Sequence, residues 1–83
     1  FLGKELEVNY STAAGGEILI EIQDENGNPI PGFTLAEAQK LIGNEIDGKV
    51  NWNGDKNLTE LASKPVRLYI YMKDADLYSI RFK

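Results

Sequence analysis

An all-β fold, two antiparallel sheets packed as a jelly-roll-like sandwich with one short helix or helical turn near 35–42, is what this 83-residue chain predicts. Three observations predict it. Apolar and polar residues alternate at a period of two through most of the chain. Asn-Gly and Pro-Gly steps interrupt that alternation where turns belong. Helical spacing covers a single stretch, so there is no βαβ alternation and no reason to expect a parallel sheet.

Leu6, Val8 and Tyr10 alternate with Glu5, Glu7 and Asn9, the pattern of a half-buried strand. Ser11 to Gly16 is small and flexible and reads as a loop. Ile18, Ile20 and Ile22 form a second strand, ended by Asp24-Glu25-Asn26-Gly27-Asn28-Pro29, where Asn-Gly supplies the positive φ of a tight turn. Pro29 and Pro31 make the next residues irregular or an edge. Thr34 and Glu37 have capping-box spacing, Leu35, Ala38, Leu41 and Ile42 share one helical stripe, and Gly43 sits at a C-cap position. Ile46, Val50 and Trp52 return to strand character. Asn53-Gly54-Asp55 breaks it, and Leu58 to Ala62 makes one helical turn before Pro65. Two final strands, Val66 to Lys73 and Asp76 to Lys83, are joined at Asp74-Ala75. The expected core takes alternate residues: Leu6, Val8, Ile18, Ile20, Ile22, Val50, Trp52, Val66, Leu68, Ile70, Ile80 and Phe82.

Composition excludes whole classes of chemistry. A chain of 9.3 kDa with 42% hydrophobic residues is one small globular domain, residues 1–83, without internal repeats. With neither Cys nor His, it has no disulfide, no thiolate metal site, no zinc-type ligand set and no Ser-His-Asp or Cys-His nucleophile. A net charge of −4, with its nine cations scattered, argues against nucleic acid and anionic membranes. No apolar run approaches the roughly 20 residues of a membrane-spanning helix, and no signal peptide is visible. A start at Phe1 rather than Met is read as a fragment of a larger protein or a processed product.

Thirteen carboxylates raise the possibility of a glycosidase-type acid–base pair. Glu5, Glu7 and Glu21 fall on the outward side of their strands by parity, and a catalytic pair needs a cleft that desolvates one member. Solvated surface charge is the simpler account. Asp24 to Asn28 resembles a calcium loop only superficially, since Gly27 comes fourth and Pro29 follows, so a hairpin turn is expected. Asp74 and Asp76 flank a turn and are read as bonding their own backbone. The Asn9-Tyr10-Ser11 and Asn57-Leu58-Thr59 triplets carry no weight, and Gly15-Gly16 lacks the Lys-Ser/Thr of a phosphate loop. No cofactor and no metal site is expected.

Aromatic residues are more informative. In Val66 to Lys73 the apolar side chains occupy one face, and Arg67, Tyr69, Tyr71 and Lys73 the other. Two tyrosines then stand outward roughly 7 Å apart. Three readings fit: cross-strand packing on the sheet, docking against a neighbouring domain, and stacking on sugar rings. Trp52 shares parity with Val50, and with Ile46 if no bulge intervenes at Gly48; a core anchor is favoured over a binding platform.

Several phrases, in order, carry a resemblance. They are Asn9-Tyr10-Ser11-Thr12-Ala13-Ala14-Gly15-Gly16, Glu21-Ile22-Gln23-Asp24, Pro29-Ile30-Pro31-Gly32-Phe33, Gly43-Asn44-Glu45-Ile46, Trp52-Asn53-Gly54, Leu61 to Leu68, and Lys73-Asp74-Ala75-Asp76-Leu77-Tyr78-Ser79-Ile80-Arg81-Phe82. This is similar to the C-terminal β-sandwich that follows a propeller-type, glycosidase-like domain in secreted bacterial proteins of the family 32 and 43 glycoside hydrolase kind. The resemblance implies an accessory role, with catalytic carboxylates in the absent propeller and none here. It implies an upstream propeller-like domain as partner, polysaccharide as a second contact, and an extracellular or periplasmic location. Asn44 stands where the pattern has aspartate, which removes the charge of that position. The sequence expectation is a non-catalytic accessory module whose candidate contacts are Tyr69, Tyr71, Arg67 and Trp52. The alternative is a free-standing carbohydrate-binding module using the same aromatics.

Overall fold

The computed structural model describes residues 5–53, 58, 61 and 64–82. These residues form an all-β structure with one three-stranded antiparallel sheet and, among them, no helix. The strands are β1 (Leu6–Asp24), β2 (Asn44–Val50) and β3 (Val66–Phe82), in the order β2-β1-β3.

β1 is central because both of its edges are used along its length. β2 pairs with the first half, from Leu6 opposite Val50 to Ser11 opposite Asn44. β3 pairs with nearly all of it, from Leu6 opposite Phe82 to Asp24 opposite Val66. Beside the second half of β1, the edge away from β3 is taken by the segment that leads to β2. The Ile18 amide donates to Leu41 at 3.1 Å and the Leu41 amide donates back at 3.0 Å. The Ile22 amide donates to Phe33 at 2.9 Å, and the Ile30 amide donates to Ile22 at 3.0 Å.

Two expected breaks are absent. Ser11 to Gly16 is not a loop between strands but part of β1, and Asp74-Ala75 does not join a hairpin but lies within β3. The two irregularities face each other. The ladder jumps from Thr12 opposite Ala75 to Glu17 opposite Lys73, leaving Ala13 to Gly16 against Asp74. Small residues allow this close approach: a Cβ at Gly16 would lie 2.7 Å from the Lys73 carbonyl oxygen and nearer still to that of Asp74. Gly15, at φ 78°, and Asp74, at φ 46°, take left-handed conformations that let both strands bend while staying paired.

The Asn-Gly turn forms as expected, as a three-residue loop closed by Asp24 and Asn28, with Gly27 at φ 85°. The Asp24 amide donates to the Asn28 carbonyl at 2.8 Å. Pro31 and Gly32 occupy the centre of a second turn, in which the Phe33 amide donates to Ile30 and Gly32 has φ 95°.

The helix expected near 35–42 is replaced by one turn. The Thr34 hydroxyl donates to Glu37 Oε1 at 2.8 Å, the Gly32 amide donates to the same oxygen at 3.0 Å, and the Glu37 amide donates to the Thr34 carbonyl at 3.1 Å. The chain then leaves helical geometry because its backbone is claimed elsewhere. The Gln39 amide donates to Asn51, the Asn53 amide to Glu37, and Leu41 bridges Ile18. Gly43 has φ 110°, but it opens β2 rather than capping a helix. Its amide donates to the Thr12 hydroxyl at 2.7 Å while its carbonyl accepts from the Thr12 amide. Farther along, the Leu61 amide donates to Leu58 at 2.9 Å, a single tight turn; the rest of the expected turn at Leu58–Ala62 lies outside the described residues.

The core lies between the inner face of the sheet and these connecting segments. Leu6, Val8, Tyr10, Ile18, Ile20 and Ile22 of β1 pack with Val50, and with Phe33, Leu41, Trp52, Leu58 and Leu61. The expected core members Val66, Leu68, Ile70, Ile80 and Phe82 touch it but are only partly buried. The reason is strand order: β3 is at the rim of the sheet, and the connecting segments fold over β1.

Candidate docking face on the third strand

Arg67, Tyr69, Tyr71 and Lys73 stand on one face of β3, opposite Gln23, Glu21, Leu19 and Glu17 of β1. Period-two geometry puts them there, since Ile18, Ile20 and Ile22 on the other parity are buried in the core. Tyr69 is 50% and Tyr71 40% exposed. Cations at both ends of the row give it a positive rim beside buried or paired carboxylates. Glu21 is buried and accepts from the Leu35 amide at 3.0 Å and from Gln23 Nε2 at 2.8 Å. Glu17 lies 3.6 Å from Lys40 Nζ.

Trp52 is not on this face. It is fully buried, donates from Nε1 to the Ile20 carbonyl at 2.9 Å, and meets Phe33 edge-on at 5.2 Å between ring centroids. It is a core anchor, with no ring face left for a ligand. Ile46, expected on its parity, is 76% exposed. β2 holds an extra residue between the partners of Val8 and Tyr10, and this bulge turns Ile46 outward while Gly48 and Val50 stay in.

Two further exposed residues on β3 were not singled out by sequence reasoning, Met72 at 41% and Tyr78 at 63%. Met72 has core parity, but its position on a rim strand leaves it half uncovered. Tyr78 sits where the ladder shifts between Asn9 and Tyr10. The signal for both was the strand's place at the edge of the sheet, which periodicity does not encode.

A small cleft of about 180 Å³ lies over the first half of the sheet, lined by Glu7, Val8, Asn9, Ile46, Asp47, Ser79 and Arg81. Arg81 donates to Glu7 Oε1 from Nη2 at 3.0 Å and from Nε at 3.3 Å, and its Nη2 lies 3.6 Å from Asp47 Oδ1. One guanidinium thus faces both carboxylates. Among the described residues, no group of three or more Asp or Glu converges to hold a metal ion.

Asp24 Oδ1 accepts from the Asn26 amide at 2.8 Å and the Asn28 amide at 3.0 Å. The Asn28 amide, foremost, holds this carboxyl below the usual carboxylate range, with help from the Asn26 amide and Arg67. The Asp24 oxygens order the turn. Asn44 accepts from the Ser11 hydroxyl at 2.6 Å, tying β2 to β1. Family models, curated proteins and solved structures contain no match to this chain.

Proposed function

We propose that this chain is a non-catalytic accessory β-module that braces a neighbouring domain of the same protein through β3. The observation that carries the reading is the distribution of uncovered apolar surface. Of the six large hydrophobic side chains exposed among the described residues, Tyr69, Tyr71, Met72 and Tyr78 lie on β3, against Ile42 and Ile46 elsewhere. An edge strand with exposed aromatics and half-covered inner residues is a surface that gains by being covered. Arg67 and the two tyrosines are the contacts, in the residue types that dominate interface energetics. In this reading the three-stranded sheet is one layer of a two-sheet, jelly-roll-like sandwich, and the segments carrying Phe33, Leu41, Trp52, Leu58 and Leu61 stand in the place of the second. The partner is an upstream propeller-like, glycosidase-like domain of a secreted bacterial protein.

A non-catalytic role is supported by the cleft's charge pairing: Arg81 lies 3.0 Å from Glu7 and 3.6 Å from Asp47, so one cation faces both carboxylates. The alternative, a carbohydrate-binding module, is favoured by one feature, the two tyrosines two residues apart on a single face. Against it, the carboxylate opposite Tyr69 is already occupied by Leu35 and Gln23.

Titration separates the two. The upstream domain, supplied as a separate polypeptide, is expected to bind the chain, and Tyr69→Ser, Tyr71→Ser and Arg67→Ser are each expected to weaken binding by about tenfold, an interface contribution of roughly 1.4 kcal/mol. A panel of plant and microbial glycans is expected to give neither heat nor chemical-shift change. Shifts at Tyr69 and Tyr71 with a glycan, and none with the domain, would replace this reading by the alternative.

A further inference from the structure

The open edge of β3 has a feature that its exposed face does not. In an antiparallel ladder each residue sends its N–H and C=O to the same side. Ile18 and Ile22 direct theirs to Leu41, Phe33 and Ile30, so their partners Met72 and Leu68 direct theirs away from β1. The Thr12 amide goes to Gly43, which turns its partner Ala75 outward as well, and the period of two extends this to Ile70 and Leu77. β3 ends the order β2-β1-β3, so among the described residues no strand meets these outward groups.

The segment along that edge, Tyr71-Met72-Lys73-Asp74-Ala75-Asp76-Leu77-Tyr78, complements its own reverse. Set antiparallel to itself, it places Tyr71 opposite Tyr78, Met72 opposite Leu77, and Lys73 opposite Asp76. We propose that β3 pairs in this register with β3 of a second copy of the chain, about a two-fold axis between Asp74 and Ala75. Met72 and Leu77, both with outward amides, form the hydrogen-bonded pair. Lys73 and Asp76, exposed in one copy, form two opposite-charge pairs across the axis. The half-exposed Met72 is covered by Leu77 of the other copy, and the bend at Asp74 falls at the axis, so both strands bend alike. A shift by one residue in one direction sets Met72 against Asp76 and Arg67 against Arg81. A shift by one residue in the other sets Lys73 against Leu77 and Asp74 against Asp76. Self-complementarity of this kind is what an isologous interface requires. The pairing uses the edge and leaves the outer face at Arg67 and Tyr69 open, so it goes beyond the docking reading and does not depend on it.

Sedimentation equilibrium of the 83-residue chain is expected to give twice the 9.3 kDa monomer mass, with a monomer–dimer transition at or below about 1 mM. Lys73→Asp alone and Asp76→Lys alone place like charges opposite each other twice per dimer, and each is expected to weaken association at least tenfold, or about 1.4 kcal/mol. The double variant is expected to restore it. Far-UV circular dichroism verifies that the variants fold. Independently of any substitution, the Met72 and Leu77 amides are expected to exchange more slowly as protein concentration rises. A chain that stays monomeric to about 1 mM, or a dimer indifferent to both single substitutions, would overturn the proposal. Either outcome leaves the binding of the upstream domain at Tyr69 and Arg67 unaffected, which keeps the two readings distinguishable.

Discussion

Trp52 and Asp24 show two ways in which one side chain organises this small protein. Trp52 is the largest fully buried side chain, and its indole N–H also donates to the Ile20 carbonyl. Trp52→Phe keeps an aromatic ring but loses the donor to that carbonyl and part of the buried volume, and is expected to cost about 2 kcal/mol, read from the urea midpoint. Asp24 acts through charge at the surface. Its folded pKa is depressed, so its stabilisation is present above the unfolded carboxylate value and is lost as pH falls through the folded one. Asp24→Ala is expected to lower the urea midpoint at neutral pH, and the gap from the parent chain to close in acid. A gap that persists in acid would assign the effect to backbone conformation rather than to the carboxylate. Tyr10 behaves in the opposite sense: burial, and then Glu45, push its phenol up, so its stabilisation holds below the ordinary tyrosine range and is lost at strongly alkaline pH.

The two long strands are made possible by their imperfections. A regular two-stranded ribbon of this length would twist away from any common core, and the facing irregularities at Ala13–Gly16 and Asp74 bend β1 and β3 together over one interior. Gly16→Ala meets two carbonyl oxygens of the backbone across the pair, which can yield only if the ladder opens. A loss of about 3 kcal/mol is expected. Gly48→Ala meets the Tyr10 ring, its Cβ 2.5 Å from Cε1, and a buried ring can shift more readily than a paired strand. The smaller loss should fall on Gly48→Ala; the reverse order in thermal melts would show that the bend is soft and the core rigid. The same element explains the failed helix. The Thr34–Glu37 turn begins as the capping residues dictate, but Gln39 and Leu41 gain more by pairing with Asn51 and Ile18 than by continuing a helix of marginal length.

In the whole molecule, coverage is uneven. β1 is enclosed by β3 along one edge, by β2 and the connecting segment along the other, and by the core beneath, whereas among the described residues β3 is left with an open edge and a half-covered face. Substitutions should divide accordingly. Tyr69→Ser and Tyr71→Ser are each expected to cost less than about 1 kcal/mol of stability, as cross-strand surface pairs do, while reducing binding of the proposed partner domain. A large loss of stability from either would recast the tyrosines as structural and withdraw the docking face.

The alternation of side chains determined by itself that this chain is all-β. It also placed Leu6, Val8, Ile18, Ile20, Ile22, Val50 and Trp52 in the core and Tyr69 and Tyr71 on an outer face, because side-chain direction along a strand is a local property. Only the tertiary structure decided strand continuity, strand order and coverage. Ser11–Gly16 and Asp74-Ala75 have turn composition, and they become bulges because each finds the other across the ladder. Val66, Leu68 and Ile70 have core periodicity, and they stay half exposed because β3 lies at the rim. Those outcomes depend on which residues meet across long sequence separations, and no local pattern carries that information.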